Sequence, residues 1–212
     1  MKSLVHYELL GSLFRYPDAN FNTKLLSNLK MIEENYIEVF PEMKRFVDAI
    51  ASLNTKEKQE YYLKTFDVKA ICYLDIGYMM FGEDYKRAQL LVNLQNEHNE
   101  AGVDCGTELA DHLPYILTLI SKTKNDDFKE ELGFIITMPT IKFMLTKFEA
   151  GDNHYEDIFK VLLYVLQNDF KGENMMEYTF AEEKFNGKNE FLIQSPKMTL
   201  CDSNCKPKRF KS

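Results

Sequence analysis

Leu4-Val5-His6-Tyr7-Glu8-Leu9-Leu10-Gly11-Ser12-Leu13-Phe14-Arg15-Tyr16-Pro17 sets the fold class of this chain. Apolar residues fall at 4, 5, 9, 10, 13 and 14, the spacing of a helix with one buried side, and Pro17 closes it. The same pattern recurs along the chain. A second helix follows Asp18, with Phe21, Leu25, Leu26, Leu29 and Ile32 on one side, and a third spans Tyr36 to Leu53 with Pro41 near its start. Asn54-Thr55-Lys56-Glu57 reads as a variant capping box opening a helix through Tyr61, Tyr62 and Phe66.

Ala70 to Phe81 is apolar nearly all round, so it is expected to form the central buried helix, with Asp75 inside it and Gly82 as its C-terminal cap. Glu83 to Ala101 is amphipathic and stops at Gly102. The next helix begins within 107–114 and runs to about Lys122. Asn125 to Phe148 is a long periodic segment with a break expected at Pro139. Gly151 and Asn153, with Glu156 three residues on, start a last helix through Phe170. After Lys171 the periodicity fades, Gly172, Gly187 and Pro196 appear, and the end turns basic with Lys206, Lys208, Arg209 and Lys211. The expectation is an all-α domain of about eight helices over residues 1–171, followed by a weakly structured tail over 172–212 with a short helix near 174–184. Only 9 Gly and 6 Pro in 212 residues agree with long uninterrupted helices.

Charge narrows the partners. A net charge of -7 argues against a nucleic-acid binder, which needs a basic face for phosphates, and suits a basic partner. Glu8 and Arg15 interrupt any signal-peptide pattern, and no stretch approaches the roughly 20 apolar residues of a membrane span. Cys72, Cys105, Cys201 and Cys205 have no disulfide-framework spacing, which fits a reducing cytoplasm. Cys201-x3-Cys205 resembles half of a metal site, but the other cysteines supply no matching pair, so neither metal nor cofactor is expected. Walker A, Gly-rich dinucleotide and H-E-x-x-H motifs are all absent, and no catalytic residues are assigned.

The stretch with candidate chemistry is Glu108-Leu109-Ala110-Asp111-His112-Leu113-Pro114. Two readings stand. In the first it is a helix start, with Asp111 as N-cap and Pro114 in the first turn, where a missing N–H costs nothing. In the second it is a recognition corner, with His112 at a helix mouth and Glu108 or Asp111 meeting a cation. Neighbouring residues on a helix do not face each other, so Asp111 and His112 make a poor acid–base dyad. Asp75 needs either a solvated face or a groove that receives a basic peptide. Tyr61, Tyr62, Phe66, Tyr73, Tyr78, Phe81 and Tyr85 form an aromatic band, part core and part groove edge.

As an ordered set, these pieces resemble the NarJ/TorD/DmsD family of molybdoenzyme maturation chaperones, and most of all its NarJ branch, the nitrate reductase delta subunit. Leu9-Leu10 and Leu13-Phe14-x-Tyr16-Pro17 resemble the family's first helix. Tyr61/Tyr62 with Thr65-Phe66-Asp67 resembles its Y…T-F-D segment. Phe81-Gly82-Glu83, Arg87, Leu90-Leu91 and Gly102 resemble the helix that follows and its stop. Glu108-Leu109-x-Asp111-His112-Leu113-Pro114 resembles its E-L-P-D-H-L-P signature, with Ala110 in place of a proline. The likeness spans roughly residues 4–165 and leaves out the tail with its two cysteines.

The resemblance implies a TorD/NarJ-like helical chaperone, cytoplasmic, non-catalytic and without a stable membrane association, present as monomer or dimer. It implies binding to the N-terminal segment of a molybdenum-containing catalytic subunit, often a twin-arginine leader or its remnant, before molybdopterin insertion and membrane docking or export. On this reading Phe66, Asp67, Asp75, Arg87, Glu108, Asp111, His112 and Pro114 form the peptide site. A helical enzyme that binds a nucleotide or small molecule through Asp111 and His112, and a permanent structural subunit, are the alternatives.

Overall fold

The N-terminal pattern folds as α1 (His6–Gly11), extended by a 3-10 turn over Ser12–Phe14, and it buries Tyr7, Leu10, Leu13 and Phe14. A computed structural model describes residues 4–149 and 153–170 of the chain. α2 (Phe21–Asn35) follows, then a 3-10 turn over Ile37–Val39 that leads into α3 (Phe40–Ala51), with Pro41 in its first turn. α4 (Thr55–Phe66) starts on the expected capping box: Asn54 Oδ1 accepts from Glu57 N–H at 3.1 Å, and Glu57 Oε2 accepts from Asn54 N–H at 2.7 Å. Both bonds are local, so four residues suffice to specify them.

The next segment departs from expectation. Helix forms only over α5 (Ile76–Phe81), not from Ala70, and Asp75 stands before the helix as its N-cap, in extended conformation. Leu74–Ile76 lies antiparallel to Asp111–Leu113 and forms an isolated bridge. Ile76 N–H donates to Asp111 O and Leu113 N–H to Leu74 O, both at 2.9 Å. These long-range bonds satisfy backbone groups that a helix would otherwise pair. Nor is α5 the central helix, since Tyr78 to Phe81 are only half-buried.

That role belongs to α7 (Leu113–Lys122), which buries Leu113, Pro114, Ile116, Leu117, Thr118, Leu119 and Ile120. α1 packs along it closely: a Cβ on Gly11 would stand 3.0 Å from Pro114 O. α6 (Tyr85–Ala101) ends at Gly102 in the left-handed conformation, φ 66°, as its glycine requires.

α8 (Asp126–Glu130) continues through a π-helical segment, Glu131–Thr137, into α9 (Met138–Leu145). The break expected at Pro139 is thus absorbed: the wider turns precede the proline, which enters at the start of α9. Phe170 lies against Gly133 in those turns, where a Cβ would come within 2.5 Å of its ring. α10 (Tyr155–Asp169) buries Tyr155, Ile158, Phe159, Leu162, Val165 and Leu166 against α3 and α9. Burial of each such side chain is worth about 1.5–3 kcal/mol.

The result is an all-α domain in which, among the described residues, the only β pairing is the single bridge. No helix among them is long and apolar enough to cross a membrane. Gly151 as a helix start, the tail over 172–212, its short helix and the Cys201/Cys205 pair lie outside the described residues.

Candidate functional site

The bridge between residues 75 and 112 builds the site. α4 ends at Phe66-Asp67, and the chain turns through Lys69, whose φ of 55° is unusual for a residue with a side chain. It then returns extended through Leu74 to lie beside the start of α7. His112, not Asp111, is the N-cap of α7, and Pro114 occupies its first turn as expected.

Four ionisable side chains meet at this crossing. Arg87, in the first turn of α6, donates from Nε to Asp111 Oδ2 at 2.9 Å and from Nη2 to Asp75 Oδ2 at 3.0 Å. His112 Nδ1 lies 3.0 Å from Asp75 Oδ1. A carboxylate only accepts, so Nδ1 carries a proton and donates it to Asp75. The Arg87 guanidinium also sits over the Tyr78 ring, 5.3 Å from its centroid.

The two acids are tuned apart. Burial alone would raise the Asp75 carboxyl, but the hydrogen bond and charge of His112, with Arg87 beside it, hold it below the usual carboxylate value. Burial wins at Asp111 and lifts its carboxyl above the ordinary range, although Arg87 pulls the other way. Burial also works against the Arg87 charge, but Asp111 and Asp75 outweigh it and keep the guanidinium more firmly protonated.

Two residues outside the sequence motif hold this arrangement. Gly77 makes room for the Asp111 carboxylate, since a Cβ there would lie 2.6 Å from Oδ2. His98, fully buried on α6, lies with Nε2 2.9 Å from Ala110 O; the carbonyl can only accept, so Nε2 carries the proton. Its Nδ1 has no partner among the described residues, and burial pushes its pKa down. A neutral imidazole therefore pins the backbone at Ala110, just before the buried Asp111.

In front of the crossing opens a cleft of about 610 Å³. Tyr62 and Phe66 of α4, Asp67, Tyr73 and Asp75 of the returning loop, Glu108, and His112 and Tyr115 of α7 line it, together with Arg15 and Tyr16 from beyond α1. Its edge mixes acid and apolar surface: Asp67 and Glu108 are exposed, Tyr16 and Tyr73 are about half-exposed, and exposed Val68 and Leu109 adjoin the two acids in sequence. Arg15 lies over the Tyr115 ring, 4.9 Å from its centroid. Tyr62 OH donates to Phe14 O at 3.1 Å, tying α4 to the segment that carries Arg15 and Tyr16.

No protein-family model matches the chain, and no curated protein sequence matches it. A solved structure does match: the crystal structure of a protein from Archaeoglobus fulgidus assigned to redox enzyme maturation. The TM-score is 0.52 at 18% identity, over 79% of this chain and 95% of that one. The two chains share a fold. At that identity the likeness fixes architecture and leaves the role of each side chain to the geometry described above.

Of the residues singled out from sequence, Phe66, Asp67, Asp75, Glu108 and His112 come together on the cleft wall. The other three lie behind it. Asp111 is fully buried and held by Arg87, so it is not available to meet an external cation directly. Arg87 is engaged with both acids, and Pro114 is buried against α1. The sequence reading missed Arg15, Tyr115, Gly77 and His98. Arg15 and Tyr115 carry no local signal, and Gly77 and His98 act on groups that only the fold brings near.

Proposed function

We propose that this protein is a redox-enzyme maturation chaperone whose cleft binds the N-terminal segment of a molybdenum-containing catalytic subunit. One observation carries the reading: Phe66-Asp67, Asp75, Glu108 and His112, scattered over more than forty positions, converge on one cleft. A cleft with aromatic walls and an edge of acids and exposed apolar side chains suits an amphipathic helix bearing cations. Asp67 and Glu108 are solvent-exposed, so pairs formed there contribute about 0.2–1 kcal/mol each. Apolar contacts at Tyr16, Tyr73 and the Phe66 wall set most of the affinity, and the acids select for cations. Asp111 and Arg87 act as positioning residues that fix Asp75 and, through it, His112.

Within this reading the chaperone holds the apo-subunit ready for molybdopterin insertion, delays docking or export, and leaves the finished enzyme. The order of motifs favours a client of the nitrate reductase type, and the protein acts by binding without catalysis, in the cytoplasm. Co-purification with the tagged full-length chain from molybdate-starved cells identifies the client. Calorimetry with a synthetic peptide of that subunit's first 30 residues or so then tests the site. An Asp67→Asn/Glu108→Gln/His112→Ala variant is expected to bind about tenfold more weakly, a change of about 1.4 kcal/mol. Equal affinity of variant and parent would remove the cleft as the site.

A further inference from the structure

The chain carries its own copy of the chemistry this cleft is suited to hold. Lys206-Pro207-Lys208-Arg209-Phe210-Lys211 places four cations and one aromatic in six consecutive residues, with no acid among them, in a protein of net charge -7. The cleft offers the complement: exposed Asp67 and Glu108, Asp75 on the wall, and half-exposed Tyr16 and Tyr73. Among the described residues that line the cleft, the acids Asp67, Asp75 and Glu108 outnumber the guanidinium of Arg15, which lies over the Tyr115 ring.

We propose that the segment Lys206–Lys211 occupies the cleft of its own chain and is displaced by the client. The proposal rests on the reading of the cleft as a peptide site and adds a competitor to it. Reach is no obstacle. The residues between Phe170 and Lys206 span on the order of 100 Å when extended, at about 3.3–3.6 Å each. Closing such a loop costs only a logarithmic term in its length. A tethered competitor works through its effective concentration, on the order of 1 mM. If the segment alone binds at about 100 μM, it weakens the apparent affinity for a client about tenfold. The cleft is then shielded from non-client basic segments, and only a client with stronger apolar anchors gains entry.

Two measurements on the full-length chain test this. In the first, calorimetry with the client peptide compares the parent with a Lys206→Ser/Lys208→Ser/Arg209→Ser/Lys211→Ser variant. The variant is expected to bind several-fold to tenfold more tightly at low salt, with the gap closing at high salt as the charges are screened. In the second, a nitroxide is attached at Cys205 in a Cys201→Ser background; Cys72 and Cys105 are buried, and burial raises both thiols, Cys72 to about 12, so they stay unlabelled. The label is expected to broaden the NMR signals of Tyr16, Tyr73 and His112, and added client peptide to restore them.

Unchanged affinity together with absent broadening, while the client peptide still perturbs the cleft signals, overturns the tail as occupant and leaves the cleft reading standing. Failure of both tail and client peptide to perturb those signals overturns the cleft reading itself. Broadening that appears only between a labelled and an unlabelled copy assigns the occupant to a second molecule and overturns the intramolecular form.

Discussion

Two carboxylate–imidazole pairs behave differently in this molecule. At one end His6, Tyr36 and Asp169 clasp α1, the end of α2 and the end of α10. His6 Nε2 lies 2.7 Å from Asp169 Oδ2, and Tyr36 OH donates to the two carboxylate oxygens at 2.9 and 3.1 Å. The Asp169 side chain is fully buried. At the other end Asp75 also holds a histidine, but its side chain keeps 31% exposure and lines the cleft with His112. A carboxylate–imidazole pair therefore says nothing about function by itself. In the clasp the carboxylate and Tyr36 are turned inward, and His6 is half-buried. At the crossing only Asp111 is fully buried; Arg87 and His112 are half-buried, and Asp75 is the member that opens to the cleft.

That contrast can be broken at its acids. Asp111→Ala is expected to have the largest effect. It removes the fully buried partner of the Arg87 pair and leaves Arg87 held by Asp75, at a cost of about 3–5 kcal/mol in urea unfolding, with loss of the peptide binding proposed for the cleft. Asp169→Ala is expected to cost a comparable part of the stability and leave peptide affinity unchanged at temperatures where the chain stays folded. If both variants lose binding equally, the crossing is merely structural, like the clasp.

Gly77→Ala sharpens the comparison by pushing on Asp111 without removing it. The added methyl meets Oδ2, so the expected loss is about 1–3 kcal/mol, the range for overpacking, and it is read from the same unfolding curves. An Asp111→Asn change added to Gly77→Ala is expected to be less than additive, because both disturb the same contact.

The smallest effect concerns pH. Burial depresses the His98 pKa, so below the ordinary imidazole value, about 6.5, the unfolded chain binds a proton that the folded chain resists. Stability from this group is present above that pH and declines as pH falls from 7.5 to 5.5. Asp75, whose pKa is lowered, loses its contribution only as pH falls below about 3.9, outside that window. Asp111, whose pKa is raised, gives the opposite slope, losing stability as pH rises above about 3.9. His98→Gln keeps a donor for Ala110 O and removes the ionisation, so its urea midpoint is expected to vary less between pH 5.5 and 7.5 than the parent's. An unchanged slope would mean that His98 is not the group responsible.

The residues that were legible in sequence share one property: their partners are close along the chain. Asn54 and Glu57 cap α4 from three positions apart. Gly102 ends α6 because only a glycine takes that φ at little cost. The apolar spacing of 4–16 predicts α1 and the turn after it, since periodicity alone selects the buried face. The same reasoning misplaced a helix over Ala70–Asp75, where apolar composition cannot distinguish a buried helix from an extended segment paired with a distant strand.

The sequence by itself determined an all-helical domain, the caps of several helices, the acidic balance, and most of the residue types that line the cleft. Only the tertiary structure decided which acid meets which base. Asp111 turns inward to Arg87, while Asp75 arrives from 37 positions away to hold His112. The physical reason is that one pair of long-range backbone hydrogen bonds, Ile76 to Asp111 and Leu113 to Leu74, sets the register between two segments that have no local preference for each other.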